Sequence, residues 1–269
     1  MRDKGREVQR FGAYELIRPL APGPISERWL ARHEFEHTSH VVHYFPERHD
    51  RAGQRRFLEA VEAVSVVSDS HLLPIQQFGV CPGGRGVAVT PYTGNHQGLV
   101  SLDMLLELKG GRMGPIEAER ALVHILEGLE AGESLGGNGP VSLSQVLVDR
   151  HGRAAIEFYG LQPRLRGAPV LGPESLRDEV RSVVEIGYHL LTGLSAEEPR
   201  VPVARLERRL PRAWENWLER GLDPVAGFST PTEAIGALPS NESGGDRAEA
   251  VGPVRVLLSR FRWPSRSGK

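Results

Sequence analysis

The chain has 269 residues, 39% hydrophobic and 25% charged, with a formal net charge of −1. That composition describes a soluble globular protein long enough for one large domain or two lobes, and its near-neutral balance excludes bulk electrostatic binding to nucleic acid. Cys81 is the only cysteine, so neither an intrachain disulfide nor a cysteine-based zinc cluster forms within the chain. MRDKGREVQR has no apolar leader, and nowhere is there the run of about 18 apolar residues that spans a bilayer. A cytoplasmic protein is expected. Lys4, Lys109 and Lys269 are the only lysines among 33 basic residues, which leaves few candidates for chemistry that needs a buried lysine.

Residues 1–10 are polar and read as a flexible N-terminus. From Phe11, FGAYELIRPL and ERWLARH flank an Ala-Pro-Gly-Pro turn, which predicts a β-hairpin with a loose tip. HVVHYF (40–45) is β-branched and aromatic, a further strand. Phe57, Leu58, Val61 and Val64 fall at helical spacing and predict a helix over 54–67. GVAVTPY (86–92) reads as another strand, followed by the connector TGNHQG.

The second half changes character. A helix over 115–130 opens on Pro115 and repeats Leu122, Ile125, Leu126 and Leu129. Two strand-like runs flank Asp-Arg-His-Gly at 149–152, a hairpin signal within 145–158. A helix over 174–192 ends at Gly193, another covers 212–222, and Thr230 to Glu233 forms a capping box for a last helix reaching Leu238. Strands first and helices later predict an α+β protein of two lobes. Residues 239–250 are polar and read as disordered. The end carries Arg255, Arg260, Arg262, Arg266, Phe261 and Trp263, a pattern suited to an anionic membrane surface or an acidic partner, although a solvated tail is the plainer reading.

The order of these elements and their punctuation resemble a bacterial serine/threonine protein kinase domain over about 11–238. FGAYELIRPL resembles that family's first strand and RFLEAVEAVSVVSDSHLLPIQQFG its αC helix with the strand that follows. GVAVTPY resembles the strand into the hinge, and QVLVDRHGRAAIEFYGL the segment from catalytic loop to metal-binding motif. GPE (172–174), YHLLTG (188–193) and LDPVAGFSTPTEAIGAL (222–238) follow in the same order. The resemblance implies an α+β, two-lobed protein-kinase-like fold. A small β-rich N-lobe with one main helix, and the hinge, would occupy 11–93, and a larger helical C-lobe 94–238. A polar linker and basic tail would follow over 239–269.

The chemistry of that family does not carry over residue by residue. The glycine-rich loop G-x-G-x-x-G-x-V aligns with Ala21, Gly23, Ser26 and Arg28, and Pro22 and Pro24 remove two amide donors. His43 stands at the phosphate-binding lysine and Ala60 at its αC glutamate, with Glu59 and Glu62 as neighbours. The H-R-D-x-x-x-x-N motif aligns with Asn138-Gly139-Pro140 and Gln145, so proline replaces the base and a neutral amide replaces a metal ligand. D-F-G aligns with Phe158-Tyr159-Gly160. Glu157 beside it should point to the opposite face of a regular strand. No Asp lies between Asp103 and Asp149 to supply the base. The aspartate opening the next large helix aligns with Glu179 or Asp178, and the arginine partner expected for Glu174 is Gly227.

The family's nucleotide cleft maps onto Gly23, Val41, Thr90, Tyr92 and Leu147, with Val89 as gatekeeper. The plainer expectation is a cleft filled by Arg28, His43 and Tyr159. Catalytic residues and a metal are therefore not expected, and ATP binding without a metal stays open through arginine. The leading reading is an inactive, pseudokinase-like regulatory or scaffolding module that binds a protein partner. The alternative is a divergent kinase-fold enzyme, a serine/threonine kinase or other nucleotide-dependent transferase, that still binds ATP. A third is an unrelated α+β protein. Outside the cleft, His33, His37, His40, His43 and His49 read as structural rather than metal-binding, Cys81 as an unactivated thiol, and Trp214 and Trp217 as helical core.

Overall fold

The computed structural model describes residues 9–242, apart from 97, 169–171, 198 and 207–209. Six strands form one antiparallel sheet: β1 (Arg10–Phe11), β2 (Tyr14–Pro19), β3 (Glu27–His33), β4 (Ser39–Arg48), β5 (Gln77–Val80) and β6 (Arg85–Pro91), ordered β1-β2-β3-β4-β6-β5. β4 is buried on both faces over His40–His43, which is why its sequence shows no alternation of apolar and charged residues there. Val41, His43 and Phe45 face one way. Val42 faces the other, into a cluster with Tyr14, Ala31, Val87 and Val89.

Helix α1 (Arg51–Ser65) crosses the first face, starting where Asp50 Oδ1 accepts the Gly53 N–H at 2.8 Å. It begins and ends a few residues before the predicted 54–67, because the cap at Asp50 outweighs the apolar spacing as a start signal. Phe57, Ala60, Val61 and Val64 are its buried stripe.

Beyond the connector after β6 come α2 (Leu102–Leu108) and α3 (Pro115–Ala131), then the hairpin β7 (Val146–Val148) and β8 (Ala154–Ile156). These are followed by α4 (Leu161–Leu165), α5 (Pro173–Thr192), α6 (Val203–Leu206), α7 (Arg212–Leu222), α8 (Pro231–Gly236) and α9 (Pro239–Glu242). α3 packs against α5, α8 and β8, and α5 packs against α7. Gly193 ends α5 in the left-handed region at φ 74°, the conformation for which glycine carries no Cβ penalty. Trp214 and Trp217 are buried in the helical core, where Trp217 Nε1 donates to Ala234 O at 2.9 Å.

Three local expectations change. Residues 239–242 form α9 rather than belonging to a disordered stretch. Thr230 accepts the Glu233 N–H, but Glu233 reaches Ser229 N–H, one residue before a reciprocal capping box. The short helices α2 and α4, and the 3₁₀ turns at Glu133–Leu135 and Leu143–Gln145, have too few turns to show a period in sequence. The basic segment with Arg255, Arg260, Arg262 and Arg266 lies outside the described residues, as do residues 1–8. None of the described helices is long and apolar enough to cross a membrane.

Candidate functional site

The space between the lobes is bounded by β3, β4 and β6 above and by β7 and the residues after β8 below. Arg28 and His43 are register partners on β3 and β4, so their side chains leave the sheet side by side on the face toward the large lobe. Both are buried. His43 uses both ring nitrogens: Nδ1 lies 3.0 Å from Ser26 Oγ and Nε2 3.0 Å from Thr90 Oγ1. Burial, with the Arg28 charge nearby, holds its pKa well below the ordinary imidazole value of 6.5, so the ring is neutral.

Glu157 corrects the expected direction. It does not point away from the cleft; it enters it. Arg28 Nε donates to Glu157 Oε1 at 3.0 Å and Arg28 Nη2 donates to Oε2 at 2.5 Å, a bidentate pair with both side chains at most 4% exposed. Glu157 Oε1 is also 3.8 Å from His43 Nδ1. The physical reason is that β8 ends at Ile156 and Phe158 adopts φ 52°, so strand alternation stops before Glu157 can inherit it. Burial pushes the Glu157 carboxyl up while the Arg28 guanidinium pulls it back.

The aromatic residue that fills the cleft is Phe158, not the expected Tyr159. Phe158 fills the cleft side, its ring 4.7 Å from His43 and 5.4 Å from Phe45. Tyr159 instead turns into the large lobe and donates its hydroxyl to Glu179 Oε2 at 2.6 Å. The phenol is pushed up by burial and by Glu179 beside it, which keeps it a donor. Glu179 Oε1 accepts the amides of Asn138 and Gly139 at 2.6 and 2.8 Å, so Glu179, not Asp178, anchors the loop aligned with the catalytic motif.

On that loop, Gln145 Nε2 donates to Glu157 O at 3.0 Å and to Asn138 Oδ1 at 3.2 Å. Asn138 Oδ1 also accepts the Gly160 N–H at 3.0 Å. Gln145, at the metal-ligand position, is thus bonded to Asn138 and to the backbone of Glu157, and Pro140, at the base position, offers no side-chain donor or acceptor. Ala60 is buried in α1, while Glu59 pairs with Arg55 on the outside and Glu62 is exposed. No acid of α1 reaches His43.

The loop over the cleft folds down onto Arg28. Gly23 N–H donates to Ser26 O at 2.8 Å, and a Cβ at Gly23 would lie 2.7 Å from Arg28 Nε. Val41 and Leu147, aligned with roof and floor of the nucleotide cleft, join one apolar cluster with Leu73 and Leu99, flanked by Leu20 and Tyr92. Thr90 is committed to His43, and Tyr92 donates its hydroxyl to Asn95 O. A cavity of about 210 Å³ is lined by Pro24, Ile25, Pro140, Gln145, Glu157, Phe158 and Gln162, among others.

The remaining candidates lie elsewhere. Tyr14 packs edge-on against both His33 and His40, and His40 Nδ1 lies 2.8 Å from Gln76 Oε1. Among the described residues no group of three or more His, Cys, Asp or Glu is placed to hold a metal ion. Cys81 is half-buried in the turn between β5 and β6, its thiol directed at Arg85 O. Asp149 caps the β7–β8 turn, where Oδ1 accepts the amides of His151 and Arg153. Sequence reasoning missed the Arg28–Glu157 pair. The one signal was charge: Arg28 stands where the family has valine and Glu157 adjoins the aligned metal-binding motif, with nothing local to join them.

No protein-family model matches the chain, and no curated protein matches it. Solved structures do. Two crystal structures of the Mycobacterium tuberculosis PknI kinase domain superpose with TM-scores of 0.67 at 16% identity. They cover 87% and 88% of this chain and 98% of the kinase domain in each case. The chain has the two-lobed, α+β fold of bacterial serine/threonine protein kinases.

Proposed function

We propose that this protein-kinase-like chain is catalytically inactive and acts as a regulatory or scaffolding module that binds a protein partner. One observation carries the reading: the buried Arg28–Glu157 pair joins the lobes where the family places triphosphate and metal. A bidentate pair excluded from water is held by its own geometry, and breaking it strands a charge in a low-dielectric site. The surroundings support the same conclusion. His43 is a neutral hydrogen-bonding group rather than a phosphate ligand, Pro140 cannot accept a proton, and Phe158 places a ring where a metal-binding carboxylate would stand. An incoming nucleotide would have to break the pair, part the Val41–Leu147 cluster and bring its own metal ligands.

One feature favours the second reading, a divergent transferase that still binds ATP. Glu157 presents a carboxylate within the cleft, and release from Arg28 would free it for a cation. A phosphotransfer assay separates the two. The chain is incubated with labelled ATP and magnesium or manganese, alone and with a basic general substrate protein. The inactive-module reading expects no more incorporation than a Glu157→Gln variant gives. Metal-dependent incorporation lost in E157Q would establish the enzyme.

A further inference from the structure

The segment between α1 and β5 leaves the small lobe and seats on the large one. Ile156 N–H donates to His71 O at 2.8 Å and Leu73 N–H to Ile156 O at 2.9 Å, which lays residues 71–73 beside β8 in a parallel bridge. The seat on α3 is close, since a Cβ at Gly128 would come within 3.0 Å of His71 O. Here His71 and His124 stack, with ring centroids 4.4 Å apart and planes 17° from parallel.

Hydrogen bonding gives the two Nδ1 atoms opposite roles. His124 Nδ1 receives the Ala154 N–H at 3.2 Å, so that nitrogen carries a lone pair. His71 Nδ1 lies 2.9 Å from Ala154 O, an acceptor that requires a proton on that nitrogen, and Nε2 lies 3.2 Å from Glu127 Oε2. One ring accepts from Ala154 and the other donates to it, so the stacked pair brackets a single peptide position. Arg120 and Glu127 face it from α3, Asp149 and Arg153 from the β7–β8 hairpin, and Asp69 from the loop itself, where Oδ1 accepts the His71 N–H at 2.7 Å. Burial first, then His71, Arg120 and Arg153, lower the His124 pKa to about 4 against the pull of Asp149.

We propose that this stacked pair makes the junction between the lobes acid-labile: proton uptake by His124 releases residues 71–73 from the β7–β8 hairpin. A proton on His124 Nδ1 faces the Ala154 N–H, donor against donor, and sets a charged ring on the His71 ring stacked against it. Both changes act where residues 71–73 hydrogen-bond to β8. The device is independent of the cleft and of any nucleotide.

Residue-resolved amide exchange between about pH 7 and about pH 4.5, corrected for intrinsic rates, tests it. The expected result is a loss of about tenfold or more in protection at Leu73 and Ile156 while α5 amides stay protected. His124→Asn, which keeps an acceptor for Ala154 N–H but does not titrate, should abolish that selective loss. Equal loss in wild type and H124N, or loss spread evenly over both lobes, would overturn the proposal. Should H124N not fold, the wild-type His124 ring resonance decides: its titration midpoint must coincide with the local opening, and titration without opening overturns the idea.

Discussion

Arg28 and Glu157 stand 129 positions apart in sequence and meet as a bidentate ion pair, with Glu157 1% exposed. Each residue alone is costly in its place: a guanidinium under a loop, a carboxylate under a sheet. Together they satisfy one another and fasten β3 of the small lobe to the residue following β8 of the large one.

Removing one partner should therefore cost far more than removing both. Arg28→Met leaves Glu157 buried without its cation, and a loss of about 3–5 kcal/mol is expected from urea unfolding. The double variant Arg28→Met, Glu157→Met should recover most of that loss, because an apolar pair of similar volume often replaces a buried ion pair without penalty. Additive losses would show that the two side chains do not act as a unit.

Glu179 offers a second test in the large lobe. It accepts two backbone amides and the Tyr159 hydroxyl from a fully buried position. Glu179→Ala leaves both amides unsatisfied, and about 3 kcal/mol of destabilisation or more follows from the usual cost of orphaned buried donors. Glu179→Gln keeps an acceptor for the amides, so its melting temperature should lie between those of wild type and E179A. A Glu179→Gln variant as stable as wild type would place the role of Glu179 in packing and neutral hydrogen bonding, and one as unstable as E179A would place it in the carboxylate charge.

Stability should fall as the solution is acidified. His43 is buried neutral with its pKa well below 6.5, so the unfolded chain takes up a proton that the folded chain refuses. Between the depressed folded value and 6.5 the unfolded state binds more protons, and by linkage stability rises with pH there and is lost as pH falls. Urea midpoints should decline steadily below about pH 6.5. His43→Gln, which keeps side-chain partners for Ser26 and Thr90 without titrating, should flatten that slope. An unchanged slope would remove His43 from the acid response.

Gly23 tests how the loop is seated. A methyl group there meets the Arg28 guanidinium at 2.7–2.9 Å, so Gly23→Ala must displace either the loop or the ion pair. A destabilisation of about 1–3 kcal/mol is expected in wild type. It should shrink in the double Arg28→Met, Glu157→Met background, where the flexible methionine yields. The comparison of the two backgrounds is the measurement.

The elements with long, regular patterns were legible in sequence. The helices at Pro115–Ala131 and Pro173–Thr192 and the antiparallel strands follow from periodicity and caps, and their collinearity led to the fold. Glu179 was one of two neighbours aligned with the aspartate that opens the next large helix, and its bonds to Asn138 and Gly139 select it. The cleft was less readable because its outcome depends on one backbone angle. Phe158 at φ 52° turns Glu157 inward and sends Tyr159 away, and no side-chain period encodes that change. Long-range complementarity was hidden for a different reason: Arg28 and Glu157 are each explained only by the other.

The central claim is that the cleft is closed by the protein's own side chains. The most direct test is a thermal-shift titration with ATP, ADP and GTP, each with and without magnesium or manganese. A ligand at about 100 times its dissociation constant stabilises a fold by about 2.7 kcal/mol, well within detection. No shift with any nucleotide, with or without metal, is the predicted result. A shift that requires the metal would contradict the account, since it needs Glu157 released from Arg28 and the cleft open.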